Sequence, residues 1–176
     1  MNHEKAKQKF KLKNLTFLLT TDEKIPFKNS SFDLVVCNQV YSYLDNPNLM
    51  TSEIYRVIKK DGVCLFTGDN LLRPIEPLYN LPFVRLLPKS LTKLFLKSLG
   101  HKNIYLGKYK TYWGLKTLLN KFTINDYTIR VLKNPRRFRY KNLEKYSYLL
   151  SIIPDFILRI LEPFSPSFIF VLKKNN

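Results

Sequence analysis

Three short polar or small-residue stretches each follow an apolar run: Thr20-Thr21-Asp22 after NLTFLL, Asn38-Gln39-Val40 after FDLVVC, and Gly68-Asp69-Asn70 after VCLFT. If the runs are strands of one open parallel sheet, all three stretches lie at its carboxyl edge, where such sheets bind ligands. Together they predict a ligand crevice. Other chemistry has little support. His3 and His101 are isolated, so no metal set is expected, and no nucleophile-base-acid triad is readable. Cys37 and Cys64 sit inside apolar runs and read as buried thiols of a reducing compartment rather than as a disulfide framework.

The crevice needs elements to hold it. Residues 2–13 read as the last turns of a helix and NLTFLL (14–19) as a strand. FDLVVC (32–37) is a continuous apolar run, the mark of a strand buried on both faces. Pro47 starts a helix that places Leu49, Ile54, Val57 and Ile58 on one side, and Asp61-Gly62 reads as its left-handed cap. VCLFT (63–67) is the next strand. Strands alternating with helices predict an α/β fold with a parallel sheet and helices on both faces. Beyond Gly68, Pro74, Pro77, Pro82 and Pro88 break up an apolar, basic segment. KSLTKLFLKSL (89–99) is helical, with Lys89, Lys93 and Lys97 on one face and Leu91, Leu94 and Phe95 largely opposite. TYWGLKTLLNKF reads as a helix, NDYTIRVL (125–132) as a strand, then a Pro-broken helix pair, and SFIFVLKK (167–174) as a final strand.

A chain of 176 residues, 45% apolar, suits one domain with a real core. Its longest tempting apolar run, 146–154, stops short of the roughly 18 residues that cross a bilayer. The charged start, MNHEKAKQKFKLKN, does not read as a signal peptide, so a cytoplasmic location is expected. The net charge of +17 reads first as lysine filling solvated faces and second as a patch for an anionic partner. Between Pro77 and Asn125 there are nine Lys or Arg and no acid, and Lys133, Arg136, Arg137, Arg139 and Lys141 form a second cluster. A nucleic-acid partner is disfavoured because no recognition motif or regular aromatic-basic stripe is present.

The stretch DEKIPFKNSSFDLVVCNQVYSYLDNPNLMTSEIYRVIKKDGVCLFTGDN resembles the middle of a class I S-adenosylmethionine-dependent methyltransferase of the type 11 group. IPFKNSSFD (25–33), the aromatic turn after the strand, and EIYRVIKKDG (53–62) running into VCLFTG carry the likeness. The resemblance implies a partial Rossmann-like sheet of parallel strands closed by a C-terminal antiparallel hairpin. It implies that Thr21 and Asp22 contact the adenine of S-adenosylmethionine, with Thr21 where the family favours an acid. Asn38, Gln39 and Val40 lie beside the cofactor, and Tyr41, Tyr43 and Asn70 face the acceptor. Ser42-Tyr43 replace a Glu-His found in many relatives, so no catalytic residue carries over.

The family's glycine-rich loop and the acid that holds the ribose have no counterpart ahead of FDLVVC, since the five glycines begin at Gly62. The resemblance thus implies a single domain over 1–176, N-terminally incomplete by two βα units of roughly 30 residues each. FDLVVC then becomes an exposed edge, and cofactor binding by this chain alone is expected to be poor. Residues 71–113 fall where the family covers its acceptor pocket. The expected activity is methyl transfer to a small-molecule, lipid-linked or sugar acceptor, which needs alignment more than side-chain chemistry. The basic helix 89–99 suggests a chain peripheral to an anionic membrane surface. The alternative is an inactive or split remnant that acts as a binding module, with a complementing N-terminal chain as partner.

Overall fold

The computed structural model describes residues 3–10, 12–20 and 24–175. Helix α1 (His3–Lys9) carries Glu4 in its first turn and Lys7 and Lys9 in its last, matching the helix dipole. The expected strand at 14–19 does not form. Its amides have no described strand alongside to pair with, and Leu18 and Leu19 stay exposed. Strand β1 (Phe32–Asn38) leads through a 3-10 turn at Tyr41–Tyr43 into α2 (Pro47–Val57). Asn46 caps α2 by accepting the Leu49 amide at 3.1 Å, and Pro47 occupies the first turn, where its missing N–H does no harm. The buried face of α2 is Met50, Thr51, Ile54 and Val57; Leu49 is partly exposed.

β2 (Ile58–Asp69) begins on the residue after α2, so Asp61-Gly62 is strand rather than the expected cap. Gly62 is needed for another reason: a Cβ there would lie 2.9 Å from the Phe32 carbonyl, at the point where the β1–β2 register shifts. A small hairpin of β3 (Ile75–Glu76) and β4 (Leu81–Pro82) follows, then a 3-10 turn at Val84–Leu86 and α3 (Lys89–Ser98). α3 buries Thr92 and Leu96, whereas Leu91, Leu94 and Phe95 face solvent along with the lysines. The Thr92 hydroxyl reaches the Pro88 carbonyl at 3.2 Å, which draws that face inward.

α4 (Tyr112–Leu118), capped by Thr111, leads to β5 (Phe122–Asp126) and α5 (Thr128–Lys133). The expected strand over 125–132 thus splits. Asp126 Oδ1 accepts the Thr128 amide at 2.9 Å, and Thr128 Oγ1 accepts the Ile169 amide at 3.1 Å; the turn stops the strand and starts a helix that buries Thr128 and Val131. α6 (Lys141–Glu144), α7 (Ser147–Ile152), α8 (Asp155–Leu161) and a 3-10 turn at Glu162–Phe164 precede β6 (Ser167–Lys174).

The main sheet runs β1-β2-β6-β5, with β1 and β2 parallel and β6 antiparallel to both β2 and β5. It is the Rossmann-like methyltransferase architecture expected, closed by the β5–β6 antiparallel hairpin. Alternation sets the core. Cys64, Phe66 and Gly68 of β2 stand opposite Leu172, Phe170 and Phe168 of β6 on one face, under α2 and α4. Phe168 and Phe170 stack at 5.7 Å, and Tyr112 leans on Phe168 at 5.1 Å. Burial pushes the Cys37 and Cys64 thiols up to about 11 and about 12, which marks them as packing residues. β1 is the expected exposed edge, but it is not the strand buried on both faces that its apolar run predicts. Leu34 and Val36 are 57% and 59% exposed, because β1 is the sheet edge and no described element covers that side of it.

Candidate ligand pocket

The 25–33 and 53–62 segments are joined by one residue pair. Arg56 donates to the carbonyls of Ile25 (2.9 Å) and Phe27 (2.7 Å), to Asn29 Oδ1 (3.1 Å) and to Glu53 Oε2 (2.7 Å). Glu53 in turn accepts the Ile25 amide at 3.0 Å. The last turn of α2 therefore clamps the loop that feeds β1. Hydrogen bonds from Arg56 hold the Glu53 carboxyl at about 2, well below its usual range.

At the other end of β1 the backbone turns sharply. Asn38 accepts a short hydrogen bond from the Thr67 hydroxyl, Gln39 adopts a left-handed φ of 58°, and its amide donates to the Thr67 carbonyl at 3.1 Å. Val40 is exposed and starts the aromatic turn. Tyr41 is fully buried against Gly68; its hydroxyl donates to the Asp69 carbonyl at 2.6 Å and accepts the Lys110 amide at 3.0 Å. Tyr43 is half exposed, its ring 6.3 Å from Tyr105. Asn70 is fully buried and holds two carbonyls, those of Pro163 and Ser165, each at 2.8 Å. Thr21 and Asp22 lie outside the described residues.

Beside this edge is a pocket of about 620 Å³, walled by the start of α2, residues 71–92 and the segment 105–110. Tyr79, Tyr105 and Tyr109 line it. Tyr79 closes one wall by donating to the Tyr105 carbonyl (3.1 Å) and accepting its amide (2.6 Å). Arg85 forms the floor. Its side chain is only 2% exposed, pairs with Asp69 at 2.7 Å and with Glu76, donates to the Asn70 carbonyl at 2.9 Å, and stacks 3.6 Å from the Tyr109 ring. Burial raises the Tyr109 phenol above its ordinary value. Four cations, Arg85, Lys89, Lys108 and Lys110, line the pocket against two carboxylates, Asp45 and Glu76. Lys108 pairs with Asp45 at 2.9 Å; among the described residues no carboxylate pairs with Lys89 or Lys110. The pocket is therefore cationic and tyrosine-lined.

Arg85 and Lys89 belong to the basic run that the sequence sets toward an anionic acceptor, whereas the tyrosines at 79, 105 and 109 did not stand out. The acid-free run around them was the one signal. No group of His, Cys, Asp and Glu suited to a metal occurs among the described residues.

Residues 1–66 match a family described as a methyltransferase domain. The chain resembles the class I S-adenosylmethionine-dependent methyltransferases. An uncharacterised methyltransferase of Schizosaccharomyces pombe is 33% identical over 78 residues, 44% of this chain and 28% of that protein. Among solved structures, the PH0226 protein of Pyrococcus horikoshii shares the fold at a TM-score of 0.55 and 15% identity, covering 98% of this chain and 64% of that one. A Haloferax volcanii protein solved with a methyltransferase activator matches at a TM-score of 0.53 and 11% identity, over 99% of this chain and 68% of that one. The chain thus spans less than two thirds of the curated relative and of the Pyrococcus protein.

S-adenosylmethionine is the cofactor that such a family implies, and the resemblance sets Asn38, Gln39 and Val40 beside it. The methyltransferase-like chain offers the left-handed turn at Asn38, Gln39 and Val40 beside an exposed β1. Its glycines serve other ends: Gly62 passes Phe32 and Gly68 seats Tyr41, and none forms a turn ahead of β1. The described residues do not fit the cofactor as a complete site.

Proposed function

We propose that this chain contributes the acceptor side of an S-adenosylmethionine-dependent methyltransferase. Its acceptor is a small molecule bearing phosphate, free or lipid-linked, including a sugar phosphate. Asn38, Gln39 and Val40 form the cofactor-facing edge, with Thr21 and Asp22 on the adenine side. Tyr43 stands at the acceptor side, while Tyr41 and Asn70 position the walls. Residues 71–113 are the covering segment that selects the acceptor. The observation that carries the reading is the cationic, tyrosine-lined pocket at the carboxyl edge of the sheet, with Lys89 and Lys110 left for an anion. The exposed lysines of α3 favour acceptors presented at an anionic membrane surface from the cytoplasmic side. The open edge of β1 favours a second reading, a binding module that takes a complementing strand from another segment or chain.

Calorimetry with three titrants tests this. S-adenosylmethionine alone is expected to bind the 176-residue chain weakly, and micromolar binding would overturn the one-sided cofactor edge. Glycerol 3-phosphate is expected to bind more tightly than glycerol, with the difference lost on Lys89→Gln plus Lys110→Gln. Equal binding of glycerol 3-phosphate and glycerol refutes the anionic acceptor.

A further inference from the structure

Residues 133–164 carry a second surface, which the pocket does not use. α7 buries none of its residues and α8 buries only Leu158. Tyr148, Leu149 and Ile152 form one stripe on α7, and Phe156, Ile160 and Phe164 a second, at i, i+4 and i+8 along α8 and the turn after it. All six are exposed, Tyr148 to 78% and Ile160 to 68%. Behind α7 lies a notch of about 490 Å³ lined by Lys133, Arg136, Arg137, Ser147, Tyr148 and Ser151. Lys133 is held there by Asp155. Among the described residues no carboxylate pairs with Arg136, Arg137, Arg139 or Lys141.

We infer that the α7–α8 pair and the arginines behind it are a docking surface for an anionic bilayer. Apolar stripes on short helices, flanked by unpaired guanidinium groups, fit the boundary between acyl chains and phosphates; Tyr148 has the amphipathic ring suited to the headgroup level. Charge decides against the other occupants. A second copy on a two-fold axis would bring two Arg136-Arg137-Arg139 clusters together, and like charges oppose that. A nucleic acid would satisfy the arginines and leave Leu149, Ile152 and Ile160 in water. Asn70 connects this surface to the pocket. Its amide holds the carbonyls of Pro163 and Ser165, just past α8, while its own carbonyl accepts from Arg85 on the pocket floor.

Vesicle co-sedimentation of the full chain is the test, with phosphatidylcholine alone against phosphatidylcholine containing phosphatidylglycerol. Binding is expected only to the anionic vesicles and is expected to fall in high salt. Replacing Arg136, Arg137 and Arg139 by Gln should lower partitioning by about two orders of magnitude, roughly five-fold per residue. Phe156→Ser plus Ile160→Ser should lower it as well, with the circular dichroism spectrum unchanged because both side chains are exposed. A chain with Lys89, Lys93 and Lys97 replaced by Gln should keep its dependence on the arginines, which separates this surface from α3. Equal binding to neutral and anionic vesicles, or no response to the arginine changes, overturns the proposal. So does a wild-type dimer that the Phe156/Ile160 changes dissociate while vesicle binding is unaltered. No outcome depends on methyl transfer.

Discussion

Arg85 is the cation on which the pocket floor depends, and Arg85→Met is expected to destabilise the chain strongly. The side chain is almost fully buried and answers two carboxylates, Asp69 and Glu76, of which Glu76 is 5% exposed. Met fills a similar volume without charge, so the loss is electrostatic. Asp69 keeps Arg73 at 2.8 Å. Among the described residues Glu76 keeps only the Leu78 amide, at 3.3 Å, and becomes an uncompensated buried charge. Removing one partner of such a pair costs about 3–5 kcal/mol. For a domain of this size that is a fall in melting temperature of about 6–20 °C. Thermal and urea unfolding measure it. Adding Glu76→Gln should restore part of the loss, because the orphaned charge goes, giving a coupling of about 1–3 kcal/mol in the double-mutant cycle. An Arg85→Met chain within about 1 kcal/mol of wild type, or strict additivity with Glu76→Gln, would refute the reasoning.

Gly68→Ala puts a methyl 2.8 Å from the Tyr41 ring and 3.2 Å from Phe66; since the Tyr41 hydroxyl is tethered at both sides, a loss of about 1–3 kcal/mol is expected in urea unfolding. Glu53 gives a pH signature. Its carboxyl is lowered from an ordinary 4.5 to about 2, so its stabilisation is fully present above pH 4.5 and is lost as pH falls toward 2. The full effect is at most about 3 kcal/mol, and less because Arg56 is partly exposed. Glu53→Gln should lower stability at pH 7 and flatten its acid dependence over that interval, as read from denaturation midpoints.

The features that sequence made legible are those whose signals are local. β6 follows from SFIFVLKK, α2 from Asn46-Pro47 and its apolar spacing, and the parallel pairing of β1 with β2 from the strand-helix-strand order of FDLVVC, α2 and VCLFT. What failed depends on distant partners. NLTFLL has strand composition, but no described strand lies alongside it to form a ladder. NDYTIRVL has strand composition too, but Asp126 and Thr128 bond across to one another and to β6 and turn the chain. α3 turned about its axis because Thr92 found carbonyls at 84, 87 and 88. The ties that build the pocket wall were hidden for the same reason: Tyr79 and Tyr105 are 26 residues apart, and Arg85 reaches back to Asp69 and Asn70.

α2 passes into β2 without a loop, and this makes the two elements a single lever. Asp45, Asn46, Pro47 and Asn48 at its near end border the pocket, while Glu53 and Arg56 at its far end grip residues 25–29. The eleven residues of α2 are a stiff rod of about 16 Å. A tilt of that rod on filling the pocket would pull the 25–29 loop with it, and through that loop the first residues of β1. Occupancy on the acceptor side would be transmitted mechanically to the strand whose outer edge is open, with no hinge along α2 to absorb the motion.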